Sequence, residues 1–184
     1  MLAVTGSSYL FHMAREFAEP FTRFFDRFYL EPFDIEGTRN FITRPLSLSK
    51  AGIAVEEDVI GEIYNLTKGH PYFLSFIMKN LVDMAGKGNI SLKGFKRLYS
   101  TIAGYLSREK FNDDITQASE TELKVLRKMA AINTETVAPS RLAIKSVRRC
   151  LKVLTEKKGL VVKTKRGEYS LYHPLFKEYL RNRK

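Results

Sequence analysis

The side chains best suited to chemistry in this sequence are cations. Arg141, Lys145, Arg148, Arg149 and Lys152 crowd together with the hydroxyl of Ser146 among them, and Lys163, Lys165 and Arg166 follow shortly after. At that density, ammonium and guanidinium groups suit a polyanion: they donate charge-assisted hydrogen bonds to phosphate oxygens, and arginine can fork onto a pair of acceptors. Covalent or metal chemistry finds no comparable cluster. His12, His70 and His173 stand far apart, without Cys or carboxylates at metal-ligand spacing. No Ser/His/Asp arrangement is suggested, so an enzyme in its own right is not expected. Cys150 falls among apolar neighbours and reads as core.

The elements around these cations form a series. Pro139–Ala143 carries a short helical signal. A longer helix follows, with Val147, Cys150, Leu151 and Leu154 on one face and Lys145, Arg148, Arg149 and Lys152 elsewhere on the cylinder. Lys157 and Lys158 precede Gly159, as a helix C-terminus prefers: cations near the negative end of the dipole, then a residue free to take positive φ. Two short β runs, Leu160–Thr164 and Glu168–Tyr172, are joined by Lys165-Arg166-Gly167. Helix, helix, strand, basic turn, strand is the order of a winged helix-turn-helix. In such a fold Lys145, Ser146, Arg148, Arg149 and Lys152 would enter or flank the major groove of DNA. Arg141, Lys163, Lys165 and Arg166 would track phosphate.

The charge follows this segment. The 184-residue chain carries a formal net charge of +11; residues 113–184 hold 17 Lys and Arg against 8 Asp and Glu, whereas residues 1–112 hold 14 against 12. Such asymmetry points to nucleic acid, double-stranded DNA in the simplest case; the alternative is a lysine-rich solubilising surface. An apolar content of 44% fits a globular protein with a real core. No apolar run approaches the roughly 18 residues that span a bilayer, and no secretory signal pattern opens the chain. With one cysteine there is no internal disulfide, and a reducing, cytoplasmic setting is the expectation.

Taken from the start, Leu2–Thr5 reads as a strand breaking at Gly6-Ser7-Ser8, Tyr9–Ala18 as a helix, and Arg27–Leu30 as a second strand. Two strands joined by a helix make no stable sheet, so residues 1–33 read as the trailing edge of a larger α/β domain. Phe17, Phe21, Phe24, Phe25 and Phe28 would pack in a core or interface, or promote self-association. Helices are then expected from Asp34 to Arg44, from Val55 or Glu56 to Thr67, from Pro71 over a broad apolar face, from Ser91, and over Glu120–Ile132 behind Ser119. Asn112-Asp113-Asp114 is the expected linker. The fold class is mainly α with a small hairpin.

The order Val4-Thr5-Gly6-Ser7-Ser8, Leu30-Glu31-Pro32-Phe33 and Gly69-His70-Pro71 resembles the archaeal AAA-like and STAND-type ATPases. The tail from Glu168 through His173-Pro174-Leu175-Phe176 to Leu180 is similar to the end of their winged helix. The resemblance runs over nearly the whole chain but over only the C-terminal half of such an ATPase. It implies that 1–33 is a remnant of the nucleotide-binding core, 34–112 a helical lid-like domain and 113–184 the winged helix. It further implies a sensor position near Ser7, an adenine-abutting turn at His70 and Pro71, and a charge-stabilising finger at Arg23 or Arg27. Each also has a plain reading, as a strand end, a helix start or a solvated flank.

One departure outweighs the rest. No Gly-x-x-x-x-Gly-Lys-Ser/Thr occurs, and no apolar strand ends in paired carboxylates for Mg²⁺. ATP hydrolysis by the family's mechanism is therefore not expected, and ATP would bind only if the missing N-terminal half were supplied. Two functions compete. One is a non-catalytic DNA-binding module; the other is a regulatory module whose winged helix docks on protein.

Overall fold

The computed structural model describes residues 31–49 and 52–183. These divide between Asp113 and Asp114 into two compact units. The protein is mainly helical, and no helix among the described residues is long and apolar enough to cross a membrane.

The first unit opens with α1, Ile35–Leu48, capped by Asp34, whose carboxylate accepts the Gly37 N–H at 2.7 Å. The sequence reading ends this helix at Arg44, but the helix runs through Pro45 for a further turn. Proline removes the donor to the carbonyl four residues back. The turn beyond it is nevertheless closed by Ser49 N–H on the Pro45 carbonyl at 3.0 Å and by the Ser47 and Ser49 hydroxyls on the Arg44 and Leu46 carbonyls. Strand β1, Ile53–Val55, then pairs in parallel with β2, Gly88–Ile90, in the register Ile53↔Gly88, Val55↔Ile90. Neither strand was expected, since three residues hold too little alternation to register as a β signal.

Helix α2, Glu57–Thr67, carries Glu57 and Asp58 in its first turn, where the dipole favours anions, and buries Val59, Ile60 and Ile63. Helix α3, Pro71–Ala85, buries Phe73, Leu74, Ile77 and Leu81; α4, Leu92–Leu106, is capped by Ser91 and buries Phe95 and Ile102. These side chains and Ile42 of α1 form one core. Arg39 of α1 bridges Glu36 and Glu57 on the surface.

Residues 112–114, the expected linker, are helical, and the two units divide within them. A π-turn at Ser107–Phe111 leads directly into α5, Asn112–Thr116. The reason lies in two buried side chains: Phe111 packs on Phe73 with ring centroids 6.0 Å apart, and Asp114 accepts the Tyr172 hydroxyl at 2.7 Å. A solvated linker would leave both without partners of that kind.

In the second unit, α6, Glu120–Ala131, begins with a capping box: the Ser119 hydroxyl accepts the Glu122 N–H, and the Glu122 carboxylate accepts the Ser119 N–H at 2.7 Å. A 3₁₀ turn at Pro139–Leu142 leads to α7, Val147–Glu156. Strands β3, Val161–Lys165, and β4, Glu168–Leu171, form an antiparallel hairpin with an irregularity between Lys163 and Lys165. Val137 adds a single antiparallel bridge to Tyr169, with hydrogen bonds of 2.7 and 3.1 Å. Last comes α8, Pro174–Asn182, a helix not marked in the sequence reading. Its start is nonetheless written there: Pro174 stands at the first helical position, and His173 Nδ1 accepts the Leu175 N–H at 3.1 Å. Val125, Leu126, Met129, Leu151, Leu154 and Phe176 fill the core of this unit.

Candidate nucleic-acid interface

Helix α7 separates its residues by polarity. Cys150, Leu151 and Leu154 are buried, while Arg148, Arg149, Lys152 and Glu156 are exposed. The free thiol of Cys150 lies in the core, as expected. The turn that delivers α7 is strained, because Ala143 and Ser146 both adopt left-handed φ, 47° and 63°. Each non-glycine residue held there costs about 1 kcal/mol or more. Ser146 is thus exposed just ahead of the helix, in the N-cap position, but its hydroxyl caps nothing.

The hairpin presents the other cations. Every residue from Val162 to Gly167 is exposed, and Lys163, Lys165 and Arg166 lie along β3 and its turn. Gly167 supplies the positive φ, 79°, that closes the turn, and Gly159, φ 65°, plays the same part after α7.

Tertiary structure separates basic side chains of this unit that are bonded to its own backbone or carboxylates from others that are not, Arg127 and Lys157 among the latter. Lys128 Nζ donates to the Leu142 carbonyl at 2.9 Å, Lys177 Nζ to the Thr134 carbonyl at 2.6 Å, and Arg181 Nε to the Ala130 carbonyl at 2.6 Å. Burial, with Arg181 nearby, pushes the Lys177 ammonium below its ordinary pKa, and Glu135 opposes this. Lys158 Nζ pairs with Glu122 at 2.6 Å and also reaches the Gln117 carbonyl. These cations hold the fold together. By contrast Arg141, Lys145, Arg148, Arg149, Lys163, Lys165 and Arg166 are exposed, and among the described residues they form no ion pair. Lys152 is the intermediate case, 3.9 Å from Glu156 with both side chains largely exposed. Such a pair contributes little and yields readily to a stronger anion. All nine residues expected to meet DNA are therefore exposed.

The nucleotide-related positions divide differently. Ser7, Arg23, Arg27 and His12, the strands and helix expected before residue 30, and the phenylalanine cluster lie outside the described residues. His70 and Pro71 are described. Pro71 is the exposed first residue of α3, and His70 is its half-buried N-cap, 5.0 Å from the Phe73 ring. Burial lowers the His70 pKa below the ordinary histidine value, a backbone hydrogen bond opposes this, and the charge of Lys110 adds to the lowering. Thr67 Oγ1 donates to the Ile63 carbonyl at 2.8 Å, and Phe33 N–H donates to the Gly69 carbonyl at 2.9 Å. The turn is thus tied to Phe33, a contact that no local pattern announces. Among the described residues, no group of three or more His, Cys, Asp or Glu is placed to hold a metal ion.

No family model and no curated protein matches the chain. Among solved structures it is similar to the Walker-type ATPase of Pyrococcus abyssi, with a TM-score of 0.63 and 18% identity over 94% of this chain and 50% of that one. At that identity the likeness is one of fold alone. The chain spans half the length of that ATPase.

Proposed function

We propose that this chain is a non-catalytic, duplex-DNA-binding module, with residues 34–112 as a lid-like domain and the second unit as a winged helix. The observation that carries the reading is the sorting of cations. The unit ties Lys128, Lys158, Lys177 and Arg181 to its own carbonyls and carboxylate, yet seven exposed cations without an ion pair gather on one turn, one helix and one hairpin, with Arg127 and Lys157 exposed besides. The major groove, about 12 Å wide, admits a helix such as α7, and the hairpin then lies against the phosphate backbone.

Binding of this kind releases counterions, so log affinity falls linearly with log salt at about −0.9 per phosphate contact. Four to six phosphate contacts from the exposed cations of the turn, helix and hairpin predict a slope of roughly −4 to −5. Anisotropy titrations of a labelled duplex across a salt series measure it. Replacing Lys165 and Arg166 by alanine flattens the slope by about 1–2 and weakens all sequences alike. Binding indifferent to salt moves the reading to protein docking.

ATP turnover forms no part of this proposal, because the sequence holds no phosphate-cradling loop and no lysine placed to follow one. The purified chain is expected to release no phosphate from ATP above background. Turnover that persists through repurification refutes this. ATP becomes a ligand only when a partner half supplies the loop.

A further inference from the structure

We propose that Arg149 is the residue that reads bases and that the base it selects is guanine; the inference rests on the duplex-binding reading above. Successive helical residues are rotated by about 100°. The buried side chains Cys150, Leu151 and Leu154 set the inward direction of α7. The opposite direction falls among Arg149, Lys152 and Glu156, while Arg148 lies off to one side, next in rotation to half-buried Thr155. From N- to C-terminus the outermost line therefore presents a guanidinium, an ammonium and a carboxylate.

On a helix lying in a groove, side chains of the outermost line face the base edges and those on the flanks face the phosphates. Arg149 is then a base contact and Arg148 a phosphate contact, although the two are neighbours in sequence and equal in charge. A guanidinium donates in parallel to O6 and N7 of guanine, a geometry that no other base edge offers it. The exposed residues of α7 include no Asn or Gln for adenine and no apolar side chain for the thymine methyl. Glu156, which could accept from a cytosine amino group, stands at the far end of the helix, and the ammonium of Lys152 lacks the planar fork of a guanidinium. Selectivity falls to Arg149.

The test uses the full chain and duplexes matched in length, titrated at one salt concentration. Duplexes carrying guanine in a site selected from a randomised library are expected to bind about tenfold more tightly than those with A·T there, about 1.4 kcal/mol, because the bidentate contact is lost. Replacing that guanine by 7-deazaguanine, which pairs normally but lacks N7, removes most of the difference. Arg149→Ala abolishes the preference, and Arg149→Lys keeps the salt slope but loses the response to 7-deazaguanine. Arg148→Ala keeps the preference, weakens both duplexes and lowers the salt slope by about 1. Both arginines are exposed, so a thermal melt of each variant is expected to match the parent. Equal affinity for G·C and A·T sites with a normal salt slope overturns the base-reading role and leaves duplex binding standing. A preference lost with Arg148 and kept without Arg149 overturns the assignment of roles. Salt-dependent binding to no duplex at all overturns both readings.

Discussion

Gly69→Ala is expected to cost at least about 3 kcal/mol, most of the stability of a marginal domain. Two effects add. Gly69 has φ +71°, where an alanine is strained by about 1 kcal/mol. A Cβ at this position would also lie 1.8 Å from the Phe33 carbonyl oxygen and 2.7 Å from its carbon, and both are backbone atoms that no rotamer change can move aside. The chain at Phe33 would have to withdraw, losing its N–H bond to the Gly69 carbonyl and its packing on Phe41, whose ring centroid is 5.6 Å away. Gly52→Ala is the control in the same unit: its φ is +64°, but nothing lies within 4 Å of the methyl that alanine would add, so only the conformational cost of about 1 kcal/mol applies. Urea unfolding followed by circular dichroism measures both. If the two variants lose the same stability, Phe33 does not press on this turn.

The second large effect is at Glu122 and Lys158, whose side chains are 9% and 20% exposed. Glu122 closes the capping box of α6 and takes the Lys158 ammonium on the same carboxylate oxygen, Oε2. Burial raises the Glu122 pKa, but the hydrogen bonds from Lys158 and from the Ser119 amide and hydroxyl outweigh it, and the result lies below the ordinary value of 4.5. A depressed carboxyl pKa contributes stability that is present above the unfolded value and lost as pH falls through the folded one. Acid unfolding below about pH 4.5 is therefore expected to draw on this pair. Lys158→Met leaves a nearly buried carboxylate with its cation gone. The expected loss at neutral pH is about 2–4 kcal/mol, somewhat under the range for a fully buried pair because Lys158 keeps some water. In the variant the loss shrinks towards low pH, where Glu122 is protonated in either case. The slope of DNA affinity against salt is expected to stay as in the parent, because Lys158 is engaged inside the unit. A variant as stable as the parent at neutral pH would show that solvent already screens the pair.

What the sequence could determine alone was what is local. Asp34, Ser91 and Ser119 announce helix starts because a cap reaches only to the amide three residues ahead. Gly69, Gly159 and Gly167 announce stops and turns because positive φ is a property of one residue. The apolar faces of α2, α3 and α7 were legible for the same reason, as was the confinement of charge to the second unit. The pairing of Ile53–Val55 with Gly88–Ile90 was not legible, since it joins two short segments whose only signal is each other. The helix through Pro45 was misjudged because the serine hydroxyls that close its last turn act against the proline rule. Nor could the sequence separate working cations from structural ones. Arg149 and Lys158 contribute equally to the net charge, but the partner of Lys158 lies 36 residues away and meets it only when α6 and the end of α7 come together. The tertiary structure decided which cations remained for a partner, because a charge satisfied inside the protein is no longer available outside it.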